Sequence, residues 1–256
     1  MDEINMKNIR MAEMNWVDIG EAIRNGFTTV VIGIGSTEQH GPHLPTHTDT
    51  MIGDFLANRI ALKLENALQA QTIRIGCSDH HLSFSGTISF KEETLMAIIY
   101  DYVESLSYHG FNTIIFIPSH GGNFEPTQKA IVNLTSKHPE LKIIGCTDMI
   151  KFINYEWDIA KEFGINYQIA GAHAGEVETS QMLAISTSQV IKERFKPGYL
   201  GELDEEKEKL IFEKGIYALS KIGVIGDPSS ADKERGKIYL DKLVDYLVQD
   251  IKEQLH

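Results

Sequence analysis

Short apolar runs rich in β-branched residues alternate along the chain with longer segments whose apolar positions recur every three or four residues. The runs suit strands buried on both faces and the longer segments suit amphipathic helices. Their alternation from end to end predicts an α/β fold, three layers of α/β/α around a mainly parallel central sheet. The pattern predicts a helix over 16–24 capped by Asn15, a strand over 28–34 after the breaker Gly26, and a helix from Asp49, as its cap, to about residue 70. A strand over 72–76, a helix over 92–108 stopped by Gly110, and a strand over 113–117 ended by Pro118 follow. Helices over 126–137, 149–163 and 176–185, a strand over 141–146, a charged stretch, a short segment over 223–225 and a last helix over 230–255 complete the reading.

No repeat, low-complexity tract or linker interrupts the alternation, so a single domain spanning 1–256 is expected. Three polar loops, 35–48, 77–90 and 119–123, each follow a predicted strand. In a parallel sheet, ligands bind outside the carboxyl ends of the strands, so these loops should open on one edge and form the active site there.

Charge and cysteine content narrow the partners. A formal net charge of -12 opposes binding to a phosphate backbone, which needs clustered lysine and arginine, so nucleic acid is excluded. The apolar runs at 30–34 and 114–117 fall far short of the roughly 20 residues that cross a membrane. The acidic start, residues 1–5, lacks the basic flank and apolar core of an export signal. Cys77 and Cys146 show no paired spacing and suit packing in a reducing compartment, which points to the cytoplasm.

The chemistry concentrates in the polar loops. Glu38 and His40 lie two apart just beyond a strand, where extended backbone projects both to one side, and Asp49 closes the same loop. Carboxylate with imidazole is a donor set for zinc, manganese or iron(II). Taken singly, Glu38 reads as a solvated charge and Asp49 as a helix cap; the recurrence of Glu, His and Asp in a proline-stiffened loop favours a metal. His120 is a further candidate ligand, because Gly121 and Gly122 let the backbone approach closely, and Asn123 beside it is a candidate substrate contact. In a helix beginning near Gly175, Glu176 and Glu178 lie roughly 200° apart and cannot both face one site. Glu176, in the first turn near His173, is read as the metal carboxylate and as part of the catalytic pair with His173; Glu178 is read as packing or hydrogen bonding. His80, His81, Ser85 and Thr87 read either as donors for substrate recognition or as part of a flexible or oligomer-contacting loop, and Tyr155 and Trp157 read either as an aromatic wall or, favoured by their helical spacing, as core.

Together these clusters resemble the creatininase (creatinine amidohydrolase) family, whose hallmark is a GSxEQHGPHLPxxTD-type segment, here Gly35 to Asp49. The resemblance continues through His120-Gly121-Gly122-Asn123 and His173-Ala174-Gly175-Glu176-Val177-Glu178-Thr179-Ser180. It implies one α/β/α domain, a homohexamer built as a trimer of dimers, and two divalent ions per chain that hydrolyse non-peptide amide bonds, often cyclic ones. Carried onto this chain, it implies that Asp49 bridges the ions, that Glu38 and His120 complete one site, and that His40 with a further glutamate completes the other. His173 matches the histidine that moves a proton near the scissile bond, a role open to an imidazole near neutral pH. Two such cations would activate a water and polarise the substrate carbonyl.

The chain departs from the family pattern at Gly122, where enzymes acting on creatinine carry a glutamate, and at Ala170-Gly171-Ala172, where they carry aromatic and acidic residues. Glu176 is expected to replace the missing carboxylate, and creatinine is not the expected substrate. The expected activity is cleavage of a small-molecule amide, cyclic or formyl. The alternatives are opening of a sugar- or polyol-derived ring, trimming of a short peptide, and a metal-stabilised oligomeric scaffold without turnover; His173 argues against the scaffold.

Overall fold

The structure is a computed structural model and describes residues 9–255; the acidic segment 1–5 lies outside them. Four parallel strands, β1 (Thr29–Ile34), β2 (Ala67–Gln69), β3 (Thr113–Pro118) and β4 (Lys142–Gly145), lie in the order β2-β1-β3-β4. Val30, Ile32, Ile114 and Phe116 are wholly buried, which is why these strands read as continuous apolar runs instead of alternating ones.

The helices are α1 (Trp16–Arg24), α2 (Thr48–Lys63), α3 (Glu92–Tyr108), α4 (Phe124–Lys137), α5 (Met149–Glu162), α6 (Tyr167–Ala170), α7 (Glu176–Ser186), α8 (Glu205–Lys214) and α9 (Lys233–Leu255). From β1 the chain crosses outward to β2, and from β3 it crosses in the other direction to β4. With right-handed crossovers, α2 and α4 therefore fall on opposite faces. α2 packs with α7 and α9, and α3 packs with α4, which gives the three layers the sequence predicts. The order reverses between β1 and β3, and it is at such a switch point that an α/β sheet leaves a crevice. On α9, Leu240, Leu243, Val244, Leu247 and Ile251 are buried at helical spacing, each contributing about 1.5–3 kcal/mol.

The largest departures from expectation lie between α2 and β2. The helix expected to reach residue 70 ends at Lys63, because Glu65 adopts a left-handed φ of 64° and turns the chain. Residues 67–69 then pair with Thr29, Val30 and Val31 as β2, while the strand expected over 72–76 reduces to a bridge between Ile34 and Ile73. Leu62 and Leu64 had extended the apolar stripe past the true end, yet Leu62 is 48% exposed. The charged stretch forms α8, whose cap Asp204 accepts from Lys207 N. Cys77 and Cys146 are free thiols packed against the core. Among the described residues, no helix is long and apolar enough to cross a membrane.

Candidate metal centre

The loop after β1 and the turn after β3 meet at the switch point. A Cβ on Gly35 would lie 2.5 Å from Thr50 Cα, so only glycine lets the loop pass this close to the first turn of α2. Asp49 is thereby brought back toward the start of its own loop. It is not the helix cap, which is His47 without a side-chain bond; the Asp49 carboxylate turns inward instead.

Glu38, His40, Asp49, His81, His120 and His173 are all buried. His40 Nε2 lies 3.0 Å from Asp49 Oδ1 and 3.5 Å from Glu178 Oε1. His120 Nδ1 lies 3.2 Å from Glu38 Oε1 and 3.4 Å from Asp49 Oδ2. His81 Nε2 and His173 Nδ1 approach the same Glu38 oxygen at 3.4 and 3.7 Å. Backbone carbonyls orient three of the rings from behind: His40 Nδ1–H donates to Glu38 O, His120 Nε2–H to Cys77 O and His173 Nε2–H to Gln39 O. Each of these rings is thus left with its other nitrogen facing the carboxylates, the usual outer support of a metal-binding imidazole.

Burial alone would raise the carboxyl pKa values of Glu38 and Asp49, but His120 and His40 outweigh it and hold both below the ordinary range. Burial likewise depresses His40 and His120, and the carboxylates outweigh it, holding both rings well above theirs. The cluster therefore keeps its carboxylates ionised against their burial. Glu38 Oε1 and Asp49 Oδ2 have no hydrogen-bond partner, and orphaned buried acceptors are rare in native folds. Oxygen and imidazole nitrogen donors of Glu38, His40 and Asp49 all lie within 4.8 Å of one another, as do those of His40, His173 and Glu178 and those of Glu38, His81 and His173. This donor set fits divalent transition metals.

The two glutamates of α7 are placed the other way round from the sequence reading. Glu176 does not reach the cluster: its Oε1 accepts from Ser180 Oγ and Arg235 Nε, each at 2.7 Å, and its Oε2 accepts from Tyr239 OH at 2.9 Å. A carboxylate neutralised by a guanidinium on α9 is not free to hold a metal or act in catalysis. Glu178 instead faces His40, and its other oxygen accepts from Ala174 N–H, a donor aimed by the left-handed φ of 51° at Ala174. The missing carboxylate cannot stand at position 122, where a Cβ would lie 2.0 Å from Cys77 O.

The expected substrate loop is redistributed. His81 belongs to the carboxylate cluster, with its Nδ1 receiving Gln39 Nε2 at 2.9 Å. His80 stacks on His120 at 5.6 Å and lines the cleft above it. Ser85 is exposed and outside the cleft, and Thr87 Oγ1 accepts from Gln39 N, bracing the loop after β1. Asn123 is spent on structure: it accepts from Cys77 N at 2.9 Å and donates to Ile34 O and Gly35 O, tying the three loops together. Trp157, read as core, lines the cleft, whereas Tyr155 stacks on Tyr246 at 4.2 Å. Gln39 went unnoticed, although it stood in the hallmark segment. The cleft, about 290 Å³, has Glu38, His120 and His173 at its floor.

Behind the cluster, Glu156 receives Gln181 Nε2 at 2.7 Å. Burial pushes its carboxyl up from 4.5 to about 8, with Glu178 adding to the rise and Gln181 opposing it. A carboxyl raised in the fold holds its proton more tightly there than in the unfolded chain. Its stabilising contribution is therefore complete below about pH 4.5 and lost as pH rises through about 8. Glu156→Gln, which mimics the neutral form, should match the parent in thermal midpoint near pH 5 and exceed it near about pH 9. Parallel midpoint curves would contradict the assignment.

The parallel fold and the buried acid and imidazole cluster at its switch point define the class: an α/β protein with a candidate metal centre. The family model for creatininase, creatinine amidohydrolase, matches residues 12–251, and the chain belongs to that family. It is thus a hydrolase of carbon–nitrogen bonds. It is 32% identical over 231 residues to a mycofactocin precursor peptide peptidase of Mycobacterium ulcerans, covering 87% of this chain and 84% of that one. It is 29% identical over 252 residues to a 3-dehydro-scyllo-inosose hydrolase of Thermotoga maritima, covering 88% and 78%. Among solved structures, a creatininase described as the Mn form superposes with a TM-score of 0.78 at 21% identity, covering 97% of this chain and 99% of that one, and shares the fold.

Proposed function

We propose that the chain, as one domain over 1–256, is a metal-dependent amidohydrolase that cleaves a carbon–nitrogen amide bond of a small molecule. The observation that carries this reading is the pair of buried carboxylate oxygens without a hydrogen-bond partner, Glu38 Oε1 and Asp49 Oδ2, set among imidazole nitrogens, with Glu38 lining the cleft. Glu38, His120 and Asp49 would hold one divalent ion, and Asp49, His40 and Glu178 a second; zinc, manganese and iron(II) suit these donors. When bound, such ions make water a nucleophile near neutral pH and polarise the carbonyl.

The chain's own residues do the rest. His173, with Nε2–H engaged by Gln39 O, presents Nδ1 to the cleft. Burial and then His40 depress its pKa, so Nδ1 is free to take a proton and to return it to the leaving nitrogen. An amide nitrogen leaves poorly until protonated, so this transfer decides the rate. The apolar walls of the cleft limit competing solvent. A second reading, trimming of a short peptide, is supported by the 32% identity to a peptide peptidase. Family membership also supports a cytoplasmic homohexamer built as a trimer of dimers.

His173→Ala should lower kcat by about 10²–10⁴ while the metal content of the purified protein stays that of the parent. Undiminished turnover in that variant would end the proton-transfer role.

A further inference from the structure

We infer that the substrate carries a bulky apolar group beside the scissile amide and no anionic group on that arm, a conclusion that rests on the amidohydrolase reading. One wall of the cleft is the face of α5 that bears Met149, Ile153 and Trp157, four residues apart along the helix. The facing wall comes from Ile211 and Phe212 of α8 and Ile216 just beyond it. Trp157 Nε1 donates to Gly171 O at 2.8 Å, so its one polar atom is spent and the ring offers apolar surface. Phe212 is 61% exposed at the mouth, its ring 5.1 Å from that of His80. A ring left in water beside an apolar wall gains contact when an apolar ligand fills the space.

Anions meet the opposite conditions. Apart from the histidines and Glu38 at the floor, Asn154 is the polar side chain of the lining. At the mouth the cleft continues past His80 and Phe212 into a groove of about 800 Å³ bordered by Asp79, Glu92, Glu125 and Asp148. Among the described residues, no lysine or arginine lines either space. Lys129 bridges Glu92 and Glu125 at 2.8 and 2.9 Å, and Lys151 stands 3.3 Å from Asp148, so both lysines are engaged by these carboxylates and neither lines the groove. A phosphate or carboxylate on the substrate's arm, away from the floor, would enter without a guanidinium or ammonium to receive it.

Hydroxamates test the arm separately from turnover, since their chelating head seeks a bound metal whatever bond the enzyme cleaves. Metal-loaded protein is titrated calorimetrically with acetohydroxamate, 3-phenylpropionohydroxamate and succinic monohydroxamate. The phenyl arm should tighten binding at least about tenfold over the methyl, and the carboxylate arm should weaken it. Phe212→Ser and Ile153→Ser should each bring the ratio of phenyl-arm to methyl-arm affinity toward one. Equal affinities, a preference for the carboxylate arm, or no binding of any hydroxamate would overturn the inference. A panel of neutral amides run beside the titration tests the hydrolase reading by itself. Preference for the phenyl arm without turnover of any amide would sink that reading alone, whereas turnover without such preference would sink the substrate class alone.

Discussion

Asp49→Asn should purify with neither metal ion and lose at least about a hundredfold in metal affinity, with turnover falling in step. Asp49 touches both halves of the cluster, with Oδ1 3.0 Å from His40 Nε2 and Oδ2 3.4 Å from His120 Nδ1. Asparagine keeps the shape and one oxygen but removes the anion that both halves share. Glu178→Gln should lose one ion and retain the other, because Glu178 approaches only the His40 side. Glu176→Gln should retain both. Elemental analysis of protein prepared without chelator decides among these outcomes. Full occupancy in Asp49→Asn would remove its shared role, and metal loss in Glu176→Gln equal to that in Glu178→Gln would return the ligand role to Glu176.

The second large effect falls on stability. Arg235→Met should destabilise the fold by about 3–5 kcal/mol, the usual cost of leaving one member of a buried ion pair alone. Glu176 is fully buried, and the Arg235 side chain, 17% exposed, supplies it with two close nitrogen contacts. The combined variant Glu176→Met with Arg235→Met should recover much of that loss, since it removes the uncompensated charge. Denaturant unfolding of the single and double variants reads the coupling; additive losses would show that the two groups act independently.

Most of the fold was legible because long helices and fully buried strands leave strong periodic traces. Asn15 before Trp16 marked α1, and the limits of α3 were read without error. The end of α2 was not legible, since Leu62 and Leu64 prolong its stripe and the turn at Glu65 relies on a backbone conformation with no glycine to announce it. The candidate site divided along a similar line. The grouping of Glu38, His40, Asp49 and His120 followed from loops placed after strands of a parallel sheet. The opposition of Glu176 and Glu178 followed from helical geometry, but which of them faced inward depended on Arg235, 59 residues away on another helix. Local sequence carries no record of such a partner. Asn123 and Thr87 look like ligand contacts in one dimension, yet backbone atoms from neighbouring loops consume their polar groups.

The dependence of α7 on α9 also sets an order of assembly. A ribosome has already made Glu38, Asp49, His120 and Glu178 when it reaches Arg235, so a growing chain can gather several donors while the rotation of α7 is still undecided. Closure of the His40 side would then wait for the final helix to dock, and on the proposed reading cation capture there would be a late event in the protein's biogenesis.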